Sequence, residues 1–257
     1  MLSVVLAVHN EELNLSKCLQ SIAKIADEII VVDGESTDRT VSIAKEFGAK
    51  IIVTTNKSNF HINKQIAMDA AKGDLVLQLD ADEVVDDELA KYIVSIEQNK
   101  VDVNQEISAW WIPRKNYFLG AFLTKGGQYP DMVIRLYRNG KAALPQKDVH
   151  EQMTATGPVS TVKGHIIHYS NPTFSDYIRK FNTYTTFTAI EMSKKKIKPT
   201  IFLGFSLCIY KPVMTFFKLF LRHKGFYDGI PGFVFAVMSG LHHPVAFLKL
   251  WELQNHV

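Results

Sequence analysis

Four short apolar runs rich in β-branched residues, 2–8, 28–32, 49–54 and 74–79, alternate with three stretches, 13–25, 37–47 and 60–71, whose apolar residues recur at helical spacing. Parallel strands cannot be joined by a tight turn, and a helix between each pair supplies the long crossover they require. The alternation therefore predicts an α/β domain: a Rossmann-like, mostly parallel central sheet with helices on both faces. In such sheets ligands bind beyond the carboxyl ends of the strands. Asp33 follows the second run, and Asp80 and Asp82 follow the fourth, so all three belong at that edge. No G-x-G-x-x-G or Walker loop follows the first run, which disfavours a dinucleotide or P-loop site.

From residue 107 to about 169 the pattern changes to short extended runs broken by Gly and Pro, read as strands and loops completing one domain over 1–172. Residues 173–257 read as a separate helical region. From Arg179 onward eleven Lys or Arg face three acidic residues, a net +8 that leaves −5 for the preceding chain. A basic, aromatic-rich tail behind an acidic body points to a membrane surface or an anionic glycolipid as partner. Nucleic acid is disfavoured, because long apolar runs separate the basic residues.

Residues 201–221 are apolar enough to raise a transmembrane reading, but Lys211-Pro212 and Lys218 interrupt them, and 230–241 is too short to span. The tail is read as interfacial helices whose lysines snorkel while Phe202, Phe205, Phe216, Phe217 and Phe220 insert. A buried helical hairpin or an oligomer interface is the alternative. Cys18 and Cys208 form no C-x-x-C pattern and predict neither a disulfide framework nor a zinc site, in keeping with a reducing, cytosolic compartment. Residues 1–8 lack the basic start and the length of a signal peptide and are read as the first strand.

The fourth run ends in Asp80-Ala81-Asp82-Glu83. Carboxylates at i and i+2 on a continuing strand share a face, and at a strand end they repel unless a cation sits between them. Two hard oxygen ligands that leave most of a coordination sphere open suit Mg²⁺ or Mn²⁺ carried by a diphosphate. Taken alone, the triplet is equally a solvated acidic turn capping a helix that begins near Asp86. Val32-Asp33-Gly34-Glu35-Ser36-Thr37 places a carboxylate at a strand end, followed by a Gly turn and a Ser/Thr helix cap, so that Asp33 could accept a hydrogen bond from a nucleobase edge.

Together with Ala7-Val8-His9-Asn10-Glu11 at the first strand end, these motifs resemble the family 2 glycosyltransferases, which have the GT-A fold and use nucleotide-sugar donors. The resemblance implies that Ala7, His9, Glu11 and Asp33 line the base and ribose pocket, with His9 where many relatives have Tyr. It puts Asp80 by the ribose and metal, Asp82 on a metal bridging the diphosphate, and Lys64 near the diphosphate. Lys64 as a plain surface lysine is the alternative. Trp111-Ile112-Pro113-Arg114, Gln128-Tyr129-Pro130-Asp131, Arg135-Leu136-Tyr137-Arg138, Val149-His150-Glu151 and Lys224-Gly225-Phe226-Tyr227-Asp228-Gly229 are similar to the bacterial branch that includes lipopolysaccharide inner-core β-1,4-glucosyltransferases. In that branch the His-Glu pair stands at the position of the catalytic base, which makes Glu151 the candidate. Some GT-A enzymes take a third metal ligand from a late His, a role for which His168 is the candidate rather than His165; the alternative is that both are hydrogen-bonded structural residues.

Inverting transfer needs such a base independently of the family: a hydroxyl is a poor nucleophile, and a carboxylate must take its proton as the bond forms. Arg135 reads either as a group for phosphate or an anionic acceptor or as a strand's inward ion pair, and Asp131 either as orienting the acceptor or as a turn cap. His242-His243 reads as structural. The expected activity is metal-dependent transfer of a hexose from a UDP-sugar to a lipopolysaccharide core or other lipid-linked glycan. Its expected place is the cytoplasm, peripheral on the inner face of the cell membrane, with an oligomer left open. A polyprenyl-phosphate sugar synthase and a catalytically silent nucleotide-sugar-binding scaffold are the competing readings.

Overall fold

A computed structural model describes residues 1–57, 60–101, 106–145 and 152–255. The chain divides into two compact units, Met1–Arg114 with Asp131–His168, and Lys115–Pro130 with Tyr169–Val257. The first contains β1 (Leu2–Val8), α1 (Leu15–Ile22), β2 (Glu28–Asp33), α2 (Thr40–Glu46), β3 (Lys50–Val53), α3 (Phe60–Asp69), β4 (Leu75–Leu79), β5 (Glu83–Val85) and α4 (Asp87–Glu97). There follow β6 (Ala109–Phe118), β7 (Ala121–Phe122), β8 (Asp131–Arg138), β9 (Ala142–Ala143), β10 (Thr154–Ala155), β11 (Val159–Thr161) and β12 (Ile166–Asn171). Strands β6 and β12 each begin in the first unit and end in the second, and β7 lies in the second.

The strand order is β3-β2-β1-β4-β8-β6-β12-β5, with β3, β2, β1 and β4 parallel as predicted. Beyond β4 the main path turns antiparallel, through β4/β8 and β8/β6, while β11 joins β6 in parallel. The chain steps outward from β1 to β3 and then returns to place β4 on the other side of β1. That reversal makes a topological switch point at the carboxyl ends of β1 and β4.

Alternation along the strands sorts the core into two layers. Leu2, Val4, Leu6 and Val8 of β1, with Leu75, Leu77 and Leu79 of β4, face Leu15, Cys18, Leu19 and Ile22 of α1 and Leu89 and Ile93 of α4. Val5, Ile30, Val32 and Val76 face Ala67 and Met68 of α3 on the other side. The apolar side chains of α1 recur at three- and four-residue intervals, so its buried stripe alone commits it to the sheet. Asp86 caps α4 by accepting from the Leu89 amide at 2.8 Å, the helix start expected at that residue. At α2 the expectation of a Ser36 or Thr37 cap fails: the helix begins at Thr40, whose amide donates to Asp38 Oδ1 at 2.9 Å.

The second unit holds α5 (Phe174–Lys194), a helical run Ile201–Arg222 that includes π-helical turns, and a closing helix Gly229–Asn255. Phe118 makes edge-to-face contacts with Tyr177 of α5 and Phe235 of the closing helix, with ring centres 5.1 and 5.7 Å apart. The closing helix does not stop near residue 241, as its apolar run implied. It continues through Pro244 because His242 and His243 find hydroxyl partners on neighbouring helices, Thr188 at 3.0 Å and Thr215 at 3.2 Å. Ile201–Arg222 and Gly225–Asn255 are both long and apolar enough, by length and composition, to cross a membrane.

Candidate active site

The parallel β1/β2 ladder sets Val8 beside Asp33, so the residues that follow leave the sheet together. His9 Nδ1 donates to the Gly34 carbonyl at 2.7 Å. The Asn10 amide donates to Ser36 Oγ at 2.8 Å, and Asn10 Oδ1 accepts from the Thr37 amide at 2.8 Å. These links hold Asn10 and Glu35 at φ of 53° and 61°, a left-handed conformation that Asn tolerates and Glu adopts only under constraint. Glu11 turns its carboxylate to Asn14, accepting from Nδ2 at 2.9 Å. Asp33 is 2% exposed and accepts from the Ser36 amide through Oδ2 at 3.1 Å. Its Oδ1 is buried and, among the described residues, receives no hydrogen bond. A buried carboxylate oxygen left without a donor is costly, and a ligand N–H would satisfy it.

On β4, alternation puts Val76 on the α3 side, and Gln78 and Asp80 continue that register. Lys64 is buried in α3 rather than lying on the surface, and its ammonium is ion-paired with Asp80 Oδ1. Arg135 of β8 reaches Asp80 Oδ2 at 2.8 Å and Glu83 Oε1 at 3.3 Å and donates to Gln78 Oε1, which makes it an inward ion pair. Burial would raise the Asp80 carboxyl, but Arg135 and then Lys64 hold it well below the usual carboxylate range. Burial pulls the Lys64 ammonium down, an effect the Asp80 charge only partly offsets. The cation sought for this carboxylate is thus supplied by the chain itself.

Asp82 faces elsewhere. Strand β4 ends at Leu79, and Asp80 to Asp82 form a turn closed by the Glu83 amide on the Asp80 carbonyl at 3.0 Å. The two carboxylates therefore do not share a strand face as the sequence suggested. Strand β12 pairs antiparallel with β5, His168 opposite Glu83, which brings His168 Nε2 to 3.4 Å from Asp82 Oδ2. Gly164 makes this approach possible: at φ +89° it packs so tightly on Leu89 that any Cβ would collide with that residue's backbone. The neighbouring His165 is engaged with Asp86 at 3.1 Å, away from Asp82. A carboxylate and an imidazole brought this close suit a divalent cation that arrives with a diphosphate. Among the described residues no group of three or more His, Cys, Asp or Glu forms a closed cage.

Two residues of the site were missed in the sequence. Glu83 is fully buried, accepting from the Asp80 amide at 3.0 Å and pairing with both Arg135 and Arg114. Arg114 in turn donates to Asp131 Oδ2 through Nε at 2.9 Å and Nη2 at 2.7 Å, so Asp131 is an ion-pair partner rather than a turn cap. The available signals were a third acid behind the D-x-D and an Arg and an Asp at the end and start of two extended runs. Glu151 lies outside the described residues, as does its neighbour His150. One edge of the sheet thus presents a carboxylate oxygen unsatisfied among the described residues, a charge-balanced buried network and a carboxylate–imidazole pair.

Residues 3–110 match the family described as Glycosyl transferase family 2. The chain is 27% identical over 258 residues to the lipopolysaccharide core biosynthesis glycosyltransferase LpsC of Rhizobium meliloti, covering 98% of this chain and 92% of that one. It is 29% identical over 262 residues to an uncharacterized glycosyltransferase of Rickettsia typhi, covering 98% and 87%. Among solved structures it is similar to S. aureus TarS 1–349 in complex with UDP-GlcNAc, at 16% identity and a TM-score of 0.48 over 97% of this chain and 83% of that one.

Proposed function

We propose that this chain, a family 2 glycosyltransferase, moves a hexose from a UDP-sugar to a lipopolysaccharide core or other lipid-linked acceptor with inversion at the anomeric carbon. The observation that carries the donor assignment is the buried Asp33 Oδ1 at the end of β2 beside the switch point, which has no partner among the described residues and could accept from a pyrimidine N–H. Ala7 and His9 lie on either side of Val8, the residue paired with Asp33 across the β1/β2 ladder, and would line the base pocket with Glu11, which bonds Asn14. Lys64 and Arg135, paired with Asp80, would offer cationic N–H donors where the diphosphate of the leaving group gathers its negative charge. Asp82 and His168 would hold Mg²⁺ or Mn²⁺, which would supply Lewis-acid stabilisation of the departing diphosphate.

The acceptor hydroxyl attacks in line as the carbon–oxygen bond to the diphosphate breaks on the opposite face, and Glu151 takes the hydroxyl proton. Asp131, held by Arg114, is the candidate for orienting the acceptor. Homology to a lipopolysaccharide core enzyme and the apolar, basic second unit support a lipid-linked acceptor met at the cytosolic membrane face.

Thermal unfolding of the full chain with UDP, ADP and GDP in the presence of Mn²⁺ tests the donor. UDP should stabilise most, and Asp33→Ala should abolish the preference while the apo protein still unfolds cooperatively. Equal stabilisation by all three nucleotides would overturn the assignment.

A further inference from the structure

Between Met192 and Tyr227 the chain carries eight Lys or Arg and no Asp or Glu. The run Ile201–Arg222 lies in the middle of this stretch with two dissimilar faces. One is packed on the closing helix: Gly204 meets the Phe247 ring, Pro212 lies against Gly240, Thr215 bonds His243, and Phe216 and Phe220 stack on each other and meet Phe233 edge to face. The expectation that Phe216 and Phe220 insert into lipid is thereby corrected. The other face, spaced by three or four residues, is Phe202, Phe205, Ile209, Val213, Phe217 and Leu221; Phe202 is 90% and Phe205 61% exposed. Six large apolar side chains in one row facing solvent mark a contact surface.

Charge selects the partner. A second copy docked on this row by two-fold symmetry would bring together two copies of a stretch that holds Lys211, Lys218 and Arg222 and no acidic residue. An anionic headgroup layer would neutralise these charges instead.

The ends of the run argue against a span. At the C-terminal end the His223 carbonyl accepts from the Gly126 amide at 3.0 Å, and Asp228 accepts from the amides of Thr124 at 3.1 Å and Lys125 at 2.9 Å. Those residues belong to the segment 115–130, whose chain neighbours on both sides are sheet strands. At the N-terminal end stand Lys194, Lys195, Lys196 and Lys198, with Glu191 in the last turn of α5. The Ile197 carbonyl is held there by Gln254 at 2.8 Å. Carrying either end across hydrocarbon would take a dense set of charges with it.

We propose that the run Ile201–Arg222 lies in the plane of an anionic lipid surface, inserting its Phe202 to Leu221 row to a shallow depth and leaving its basic side chains among the headgroups. The proposal rests on the reading that the acceptor is lipid-linked, because this surface would hold the enzyme where such an acceptor lies.

The test uses full-length protein with vesicles of phosphatidylcholine alone or mixed with phosphatidylglycerol. Flotation should require the anionic lipid and fall with salt. Phe202→Glu with Phe205→Glu should weaken partitioning at least about tenfold, with thermal unfolding and UDP-induced stabilisation unchanged. Cys208 is exposed and Cys18 buried, so a fluorophore on Cys208 reports depth within the run. Quenching by nitroxides near the headgroups, and not by nitroxides at the acyl-chain ends, is the in-plane result. Deep quenching, flotation indifferent to lipid charge, or a double variant that changes only the sedimentation mass would overturn the proposal. Loss of UDP stabilisation in the wild type with flotation intact would instead overturn the donor reading and leave this surface standing.

Discussion

Arg114 places Nη1 at 3.1 Å from Oε1 of Glu83, a carboxylate with no solvent exposure at all. Through Glu83 and Asp131 this guanidinium belongs to a line of alternating charges, Lys64, Asp80, Arg135, Glu83, Arg114 and Asp131, that runs from α3 to the start of β8. Its three cations balance its three anions. Burying either set alone would be prohibitive, whereas the balanced line positions Asp80 and the turn that bears Asp82.

Removing the central anion should show how much depends on that balance. Glu83→Gln removes the one anion that Arg135 and Arg114 share, leaves the buried line with a net positive charge, and should destabilise the fold by about 3 kcal/mol. Urea unfolding checks it; a change within experimental error would mean that water compensates the network.

Metal dependence should divide between Asp82 and its partner. Asp82→Ala should remove the increment that Mn²⁺ adds to UDP binding, and chelation of the wild type should give the same loss. His168→Ala should weaken Mn²⁺ binding, while UDP binding measured in chelator stays at its wild-type value. Calorimetric titration of UDP with and without Mn²⁺ reads all three.

Glu151→Gln should bind the UDP-sugar as the wild type does and lose about 10² to 10⁴ in turnover, the range for removal of a general base. Full turnover in this variant, measured by UDP release with acceptor present, would take Glu151 out of the mechanism.

Glu28 gives the fold a pH dependence that can be separated from the site. Burial would raise its carboxyl, but the Ser3 hydroxyl at 2.6 Å and the Lys72 amide at 3.1 Å hold it below its ordinary value. A depressed folded-state pKa contributes stability that is complete above the unfolded value and is lost as pH falls through the folded one. Glu28→Gln should therefore flatten the acid limb of the stability profile below the usual carboxylate range and leave neutral kinetics untouched. An unchanged limb in acid titrations followed by circular dichroism would contradict it.

Much of this protein was legible in its order of residues. The alternation of short β-branched runs with helical spacings placed β1 to β4 and α1 to α3 to within a few residues, because each element's core face is written in its own local period. The carboxylates at the strand ends were legible for the same reason: a residue that ends a parallel strand lies at the binding edge wherever the strand goes. What those carboxylates touch was decided only by the tertiary structure. Asp80 takes its counter-charge from Arg135, 55 residues away, Asp82 meets His168 through a strand pairing late in the chain, and Arg114 finds Glu83 across the sheet. The length of the closing helix and the inward turn of Phe216 and Phe220 likewise depended on partners the local pattern does not contain. Secondary structure follows from near-neighbour geometry, whereas a buried charge is stable only beside its opposite, and the fold alone determines which residues become neighbours.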